Sequence, residues 1–176
     1  MEFARVIALV RGFLIDRKIH HALAGGLALA AYGLPRTTFD LDLVVDGDWQ
    51  QELIDFLEAA GFGTLFRSVG YSNHLHNDPS LGRVDVIYVR GGTREKIFSE
   101  ARLMPGPGGS IVPVARPEHL AAMKVQAMKN DPSRAFGDMA DIGFLLRLPG
   151  VDRGEIAAYF DKHGMGDRFR ELEASL

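Results

Sequence analysis

None of the chain's 176 residues is cysteine, which excludes disulfides, thiolate metal centres and thiol catalysis and fits a reducing, cytoplasmic setting. Long hydrophobic runs are missing as well. No stretch approaches the ~20 apolar residues that a membrane-spanning helix requires, so no membrane partner is expected. The opening segment MEFARVIALVRGFLIDRK is interrupted by Glu2, Arg5 and Arg11 and lacks a small-residue cleavage site, and it reads as part of the fold. A dominant charge is absent too: 20 basic residues against 23 acidic ones leave a net charge of -3, which gives no bulk attraction for nucleic acid or anionic lipid. Any anion must therefore be held by a local site.

What is present is enough apolar material, 47% of residues, to bury a core. Phe3, Val6, Ile7, Val10, Phe13 and Leu14 recur at helical spacing and predict a first helix packed on a sheet. A short buried strand, His20 to Ala24, runs into Gly25-Gly26, a two-turn helix from Leu27 to Tyr32, and Gly33. Pro35 ends that helix, and Phe39 to Val45 reads as the next strand. Asp48 with Gln51 predicts a capping box for a helix running to Gly61. Strand-like runs then follow near 64–67, 71–76 and 83–89, separated by turn formers and expected to pair as antiparallel hairpins.

The stretch from Gly91 to Pro117 holds a short helix near Arg94 to Glu100, the MPGPGG loop and a short strand from Ser110 to Val114, and it resembles a linker more than a core. Beyond it, helices are predicted from Pro117 to about Lys129, after Asp131-Pro132 with Phe136, Met139, Ile142 and Leu146 on one face, and after Asp152. A mixed αβ region over 1–115 and a helical segment over 116–176, packed on that core, are the expected organisation.

Chemistry is concentrated between His21 and Val45. Residues two apart on a strand share a face, so Asp40 and Asp42 project together, ~7 Å apart at Cα. A hard divalent cation such as Mg²⁺ relieves the repulsion of such a pair and is commonly shared with substrate phosphates. Asp85 lies in the otherwise apolar run VDVIYV, where a carboxylate is expensive unless it is paired or coordinated. It is either a third ligand or a partner of Arg83 or Arg36. Gly25-Gly26 before a helix offers unhindered main-chain N–H groups to a phosphate, or is simply a tight turn.

Arg36 is a candidate phosphate contact or an exposed helix-end cation. Lys124 either reaches a phosphate or snorkels from an apolar helix. Asp138 and Asp141, three apart on one helix face, suit a structural pairing with Lys124 or Arg134 as well as a catalytic role. His74 and His76 on one strand hint at a metal site, but no further spaced ligand supports it, and packed histidines are the expectation. Arg90, Arg94, Lys96, Lys124 and Lys129 supply a candidate local basic patch.

The ordered set Ala24-Gly25-Gly26, thirteen residues (27–39), Asp40-Leu41-Asp42-Leu43 and a later VDVI resembles the signature of the DNA polymerase β-like nucleotidyltransferase superfamily. More closely, GGLALAAYGLPRTTFDLDLVV with PEHLAAMKVQAMK and FGDMADIGFLL resembles small bacterial nucleotidyltransferases of the AbiEii type, toxins of toxin–antitoxin and phage-defence pairs.

The resemblance implies an α+β nucleotidyltransferase fold, a mixed β-sheet flanked by helices with a C-terminal helical segment. It implies a Mg²⁺- or Mn²⁺-dependent transferase of NMP from an NTP to an acceptor hydroxyl on RNA or tRNA, protein or a small molecule. An antitoxin partner is implied as well. Asp40, Asp42 and Asp85 would be the catalytic and metal-binding residues, and Gly25, Gly26, Arg36 and Lys124 would bind the nucleotide. Gly137 stands where the family carries a basic residue, with Arg134 a helical turn earlier, and the chain is shorter than full AbiEii-like toxins. The alternatives are a metal-dependent phosphodiester hydrolase and a non-catalytic partner-binding component.

Overall fold

Helix α1 (Phe3–Asp16) forms on the predicted stripe and buries Val6, Ile7, Val10 and Leu14. Helix α3 (Gln50–Ala59) buries Leu53, Ile54 and Leu57, and the Phe13 and Phe56 rings stack at 4.2 Å, so the two helices lie side by side. The structure, a computed structural model, describes residues 1–35 and 37–176.

The strands are β1 (His21–Leu23), β2 (Asp40–Asp46), β3 (Phe62–Arg67), β4 (Tyr71–His76), β5 (Arg83–Val89), β6 (Arg102–Pro105) and β7 (Ile111–Val114). They form one mixed sheet in the order β3-β4-β5-β2-β1-β7-β6. The three successive strands β3, β4 and β5 pair antiparallel, as expected of the hairpin-like region, while β2 and β5 run parallel.

Ile7 and Val10 of α1 face Leu23, Leu41, Leu43 and Val112 across a narrow seam. That contact fixes which side of the sheet the helix covers. Because side chains alternate along a strand, Asp40 and Asp42 are turned to the opposite side. The burial along β2 follows suit: Asp40 and Asp42 are half-buried, Leu41 and Leu43 are buried, and from Val44 onward every residue is buried. The carboxylates thus sit at the open end of a strand whose remainder is core.

Three local expectations need correction. Residues 91–117 are no linker: helix α4 (Gly91–Ser99) leads to the β6–β7 hairpin, Val112 and Val114 are fully buried, and β7 pairs parallel to β1. The Gly-Pro loop is the hairpin's turn. Asp48 does not cap α3 either. Asp46 accepts the Asp48 N–H at 3.1 Å at the start of a 3₁₀ turn, and Asp48 pairs with Arg94 at 2.8 Å. Phe136, placed on a buried helical stripe by its spacing, is 93% exposed.

The chain divides into two compact units, Met1–Ala115 and Arg116–Leu176. The second is built from α5 (Pro117–Asn130), α6 (Ala135–Leu146), α7 (Arg153–Lys162) and α8 (Gly166–Ala174). Leu120, Val125, Met128, Ile142, Leu145, Ile156 and Phe160 form its interior. Glu118, buried at the start of α5, accepts the Asp152 N–H at 2.8 Å, and Asp152 in turn caps α7 by accepting the Glu155 N–H at 2.9 Å. Among the described residues, no helix is long and apolar enough to cross a membrane.

Candidate active site

The register of the parallel β2–β5 pair decides the geometry. Asp42 lies directly opposite Asp85, and Asp40 opposite Arg83. Asp85, more than 40 positions further along the sequence, therefore shares one face with Asp40 and Asp42, and each of the three offers an oxygen within 4.8 Å of the others. Asp85 is only 8% exposed, whereas Asp40 and Asp42 are half-buried.

Gly25 and Gly26 close on this cluster from helix α2 (Gly25–Ala31). Gly25 adopts φ +54°, and a Cβ there would stand 2.8 Å from the Asp42 Cβ and run into the carboxylate. Glycine is thus required twice, by the backbone conformation and by the space the carboxylate fills. A Cβ at Gly26 would meet the Thr38 side chain at 2.7 Å, and Thr38 Oγ1 donates to Asp40 Oδ1 at 2.7 Å. The glycine turn and the DxD strand are two halves of one packing unit.

Arg83 and Tyr71 complete the surroundings of Asp85. Arg83 Nε donates to Asp85 Oδ1 at 2.7 Å. The Tyr71 hydroxyl lies near Asp85, and its pKa is pushed up to about 12 by burial first and by the Asp85 charge second. The hydrogen bond to Asp85 raises the Arg83 pKa further above its ordinary value, so the guanidinium is permanently charged. Asn73, opposite Asp85 on β4, carries a buried Oδ1 without a hydrogen-bond partner. Tyr71, Asn73 and Thr38 were not singled out by sequence reasoning. Only the β4–β5 register and the glycine packing reveal them.

The donor set fits a hard divalent cation. All three candidate ligands are carboxylates, they converge without a thiolate or imidazole among them, and Mg²⁺ and Mn²⁺ prefer such oxygen ligands.

Arg36 falls outside the described residues. Lys124 Nζ sits in the second unit between Asp138 Oδ1 at 2.9 Å and Asp141 Oδ2 at 2.6 Å, and Arg134 Nε meets Asp138 Oδ2 at 3.1 Å. Arg94 is drawn to Asp46 and Asp48, and Arg90 donates to the carbonyls of Gly47 and Val69. Arg90, Arg94 and Lys124 of the candidate basic patch are therefore engaged in pairings within the fold.

His74 and His76 are packed rather than metal-like. His74 is fully buried, with Nε2 at 2.8 Å from Ser72 Oγ and Nδ1 at 3.0 Å from Thr64 Oγ1. Thr64 donates to Glu58 at 2.6 Å, so its oxygen accepts from His74 Nδ1–H and Nε2 accepts from Ser72. Burial lowers the His74 pKa and keeps the ring neutral.

With the geometry in place, comparison with known proteins decides the family. The model of the family described as nucleotidyl transferase AbiEii toxin, type IV TA (toxin–antitoxin) system, matches residues 8–175. The chain belongs to the AbiEii nucleotidyltransferase family. The AbiEii chain matches no curated protein.

Its fold is shared with solved nucleotidyltransferases. The antibiotic-resistance factor ANT(2'')-Ia, solved in solution, aligns with a TM-score of 0.63 at 16% identity, over 99% of this chain and 96% of that one. The lincosamide antibiotic adenylyltransferase LnuA, solved with lincomycin bound, aligns at 0.54 with 15% identity over 81% and 96%. A nucleotidyltransferase from Thermotoga maritima aligns at 0.57 with 14% identity over 80% and 93%. At these identities the likeness is one of fold. The AbiEii chain is thus an α+β nucleotidyltransferase with a mixed seven-stranded sheet flanked by helices.

Proposed function

We propose that this nucleotidyltransferase moves an NMP from an NTP to an acceptor hydroxyl at the Asp40–Asp42–Asp85 cluster, with Mg²⁺ or Mn²⁺ bound there. The observation that carries the reading is the convergence of three carboxylates against a glycine turn that excludes any side chain. A bound divalent cation would neutralise charge on the attacking and leaving oxygens of an in-line displacement.

The chain's own residues do the rest. Asp40, steadied by Thr38, and Asp42 would hold the cation. The acceptor oxygen attacks the α-phosphorus, the bond to pyrophosphate breaks, and the hydroxyl proton passes to solvent or to Asp85. The main-chain N–H groups of Gly25 and Gly26 would hold phosphate oxygens, and Arg36 and Lys124 remain proposed phosphate contacts. Rate acceleration comes from positioning and electrostatics.

The family description supports a toxin role, and with it a functional antitoxin partner, in the cytoplasm where NTPs are available. Acceptors on RNA, on protein and on small molecules, the last in line with the antibiotic named for LnuA, define three arms of one test. Each α-labelled NTP is incubated with the purified protein, Mg²⁺ or Mn²⁺, and total RNA, protein extract or aminoglycosides. Label transfer that disappears in Asp42→Asn supports the proposal. Release of nucleotides from RNA without NTP identifies a hydrolase, and no chemistry in any arm identifies a non-catalytic component.

A further inference from the structure

Arg83 occupies an unusual place for a surface cation. It precedes Asp85 by two residues on β5, lies opposite Asp40 in the β2–β5 register, and spends its Nε on Asp85 Oδ1 at 2.7 Å. Tyr71 of β4 lies beside both Asp85 and Arg83. The guanidinium never loses its charge, and its planar donors hold a carboxylate in a defined orientation.

A divalent cation that recruits Asp85 Oδ1 must therefore take that oxygen from Arg83. Binding through Asp40 and Asp42 meets no such competition from Arg83, which is bonded to the third aspartate. An arriving triphosphate changes the balance. It brings negative charge that the released guanidinium can pair with, and Arg is well suited to phosphate.

We propose that Arg83 is a built-in competitor for the third carboxylate, holding Asp85 in the nucleotide-free protein and yielding it when metal and nucleotide arrive together. Metal binding and nucleotide binding are thereby coupled: each favours the state in which Arg83 has left Asp85, so each tightens the other by the same factor. Arg83 acts through Asp85 and the cation and is a positioning residue. The inference rests on the reading of the aspartate cluster as a metal centre.

Mn²⁺ binding, read as loss of the free-ion EPR signal at neutral pH, tests it without any assay of turnover. Arg83→Gln is expected to bind Mn²⁺ about tenfold more tightly than the unaltered protein without nucleotide. The gain on adding a non-hydrolysable NTP analogue is expected to shrink by the same factor. Arg83→Lys, which keeps a charge without the planar fork, is expected to fall between the two. Unchanged or weaker Mn²⁺ binding in Arg83→Gln, with circular dichroism unchanged, overturns the inference. Should Arg83→Gln fail to fold, an Arg83→Lys protein equal to the unaltered one overturns it instead. Asp42→Asn separates the two levels: if it binds Mn²⁺ as well as the unaltered protein, the metal centre itself is misplaced and the inference falls with it. If Asp42→Asn abolishes binding while Arg83→Gln changes nothing, only the role of Arg83 fails.

Discussion

Two clusters of aspartate and base in this chain look alike in composition and differ in direction. In the helical unit, Asp138 and Asp141 both turn onto Lys124, and Arg134 takes the remaining Asp138 oxygen, so the acids converge on cations. In the sheet unit, Asp40, Asp42 and Asp85 converge on one another, and Arg83 is bonded to one of them from the side. The first arrangement is complete and suits a structural role. The second holds repelling charges together through the sheet register and a glycine that leaves no room for a side chain, which suits a cation-binding site.

The largest effect is expected where the acids face one another. Asp42→Asn should lower nucleotidyl transfer by about 10³-fold or more, since it removes both a ligand and the charge that positions the nucleotide. Its circular dichroism spectrum should match that of the unaltered protein. A large loss of stability would place Asp42 in the structural class with Asp138.

Lys124→Met reverses the pattern. It removes the cation shared by two buried carboxylates, each under 5% exposed, and should cost about 3 kcal/mol in denaturant unfolding. Adding Asp138→Leu and Asp141→Leu should recover most of that loss, because unpaired buried charge is then absent. A cost that persists in the triple variant would show that the cluster does more than pair charge.

The pH dependence of stability comes next. Burial holds the folded-state pKa of His74, and likewise of His21, below the usual 6.5, so the unfolded chain binds protons that the folded one refuses. This contribution is complete above about pH 6.5 and is lost as pH falls through that range. Urea midpoints should fall between pH 7 and pH 5, and His74→Gln should flatten the slope at some cost in stability at pH 7. An unchanged slope would mean that the ring protonates in place. The smallest effect, about 1 kcal/mol, is expected from Asp152→Ala, which removes the cap of α7.

Local features were the legible ones. Asp40 and Asp42 share a face because a strand has period two, and the helical stripe of α1 follows from spacing alone. The place of Asp85 beside them was legible only through the family resemblance, since it depends on a parallel register set by a crossover through α3 and two further strands. Strand β7 was legible over 110–114, where Val112 and Val114 alternate, but its partner β6 was hidden by the glycines and prolines of the turn between them. The cap at Asp46 was misassigned to Asp48 because the competing attraction, Arg94, lies 46 residues away in sequence. Phe136 shows the same limit from the other side: helical spacing predicts a face and not whether anything covers it. The pairing of Lys124 with Asp138 and Asp141 was one of two readings the sequence allowed, and the structure contains it.

The most direct measurement is an anomalous-difference map from crystals grown with Mn²⁺ and a non-hydrolysable NTP. The expected result is a manganese peak coordinated by Asp40, Asp42 and Asp85, with phosphate oxygens beside Gly25 and Gly26. A map with no peak at those carboxylates, or with manganese bound elsewhere while the nucleotide is ordered, would contradict it.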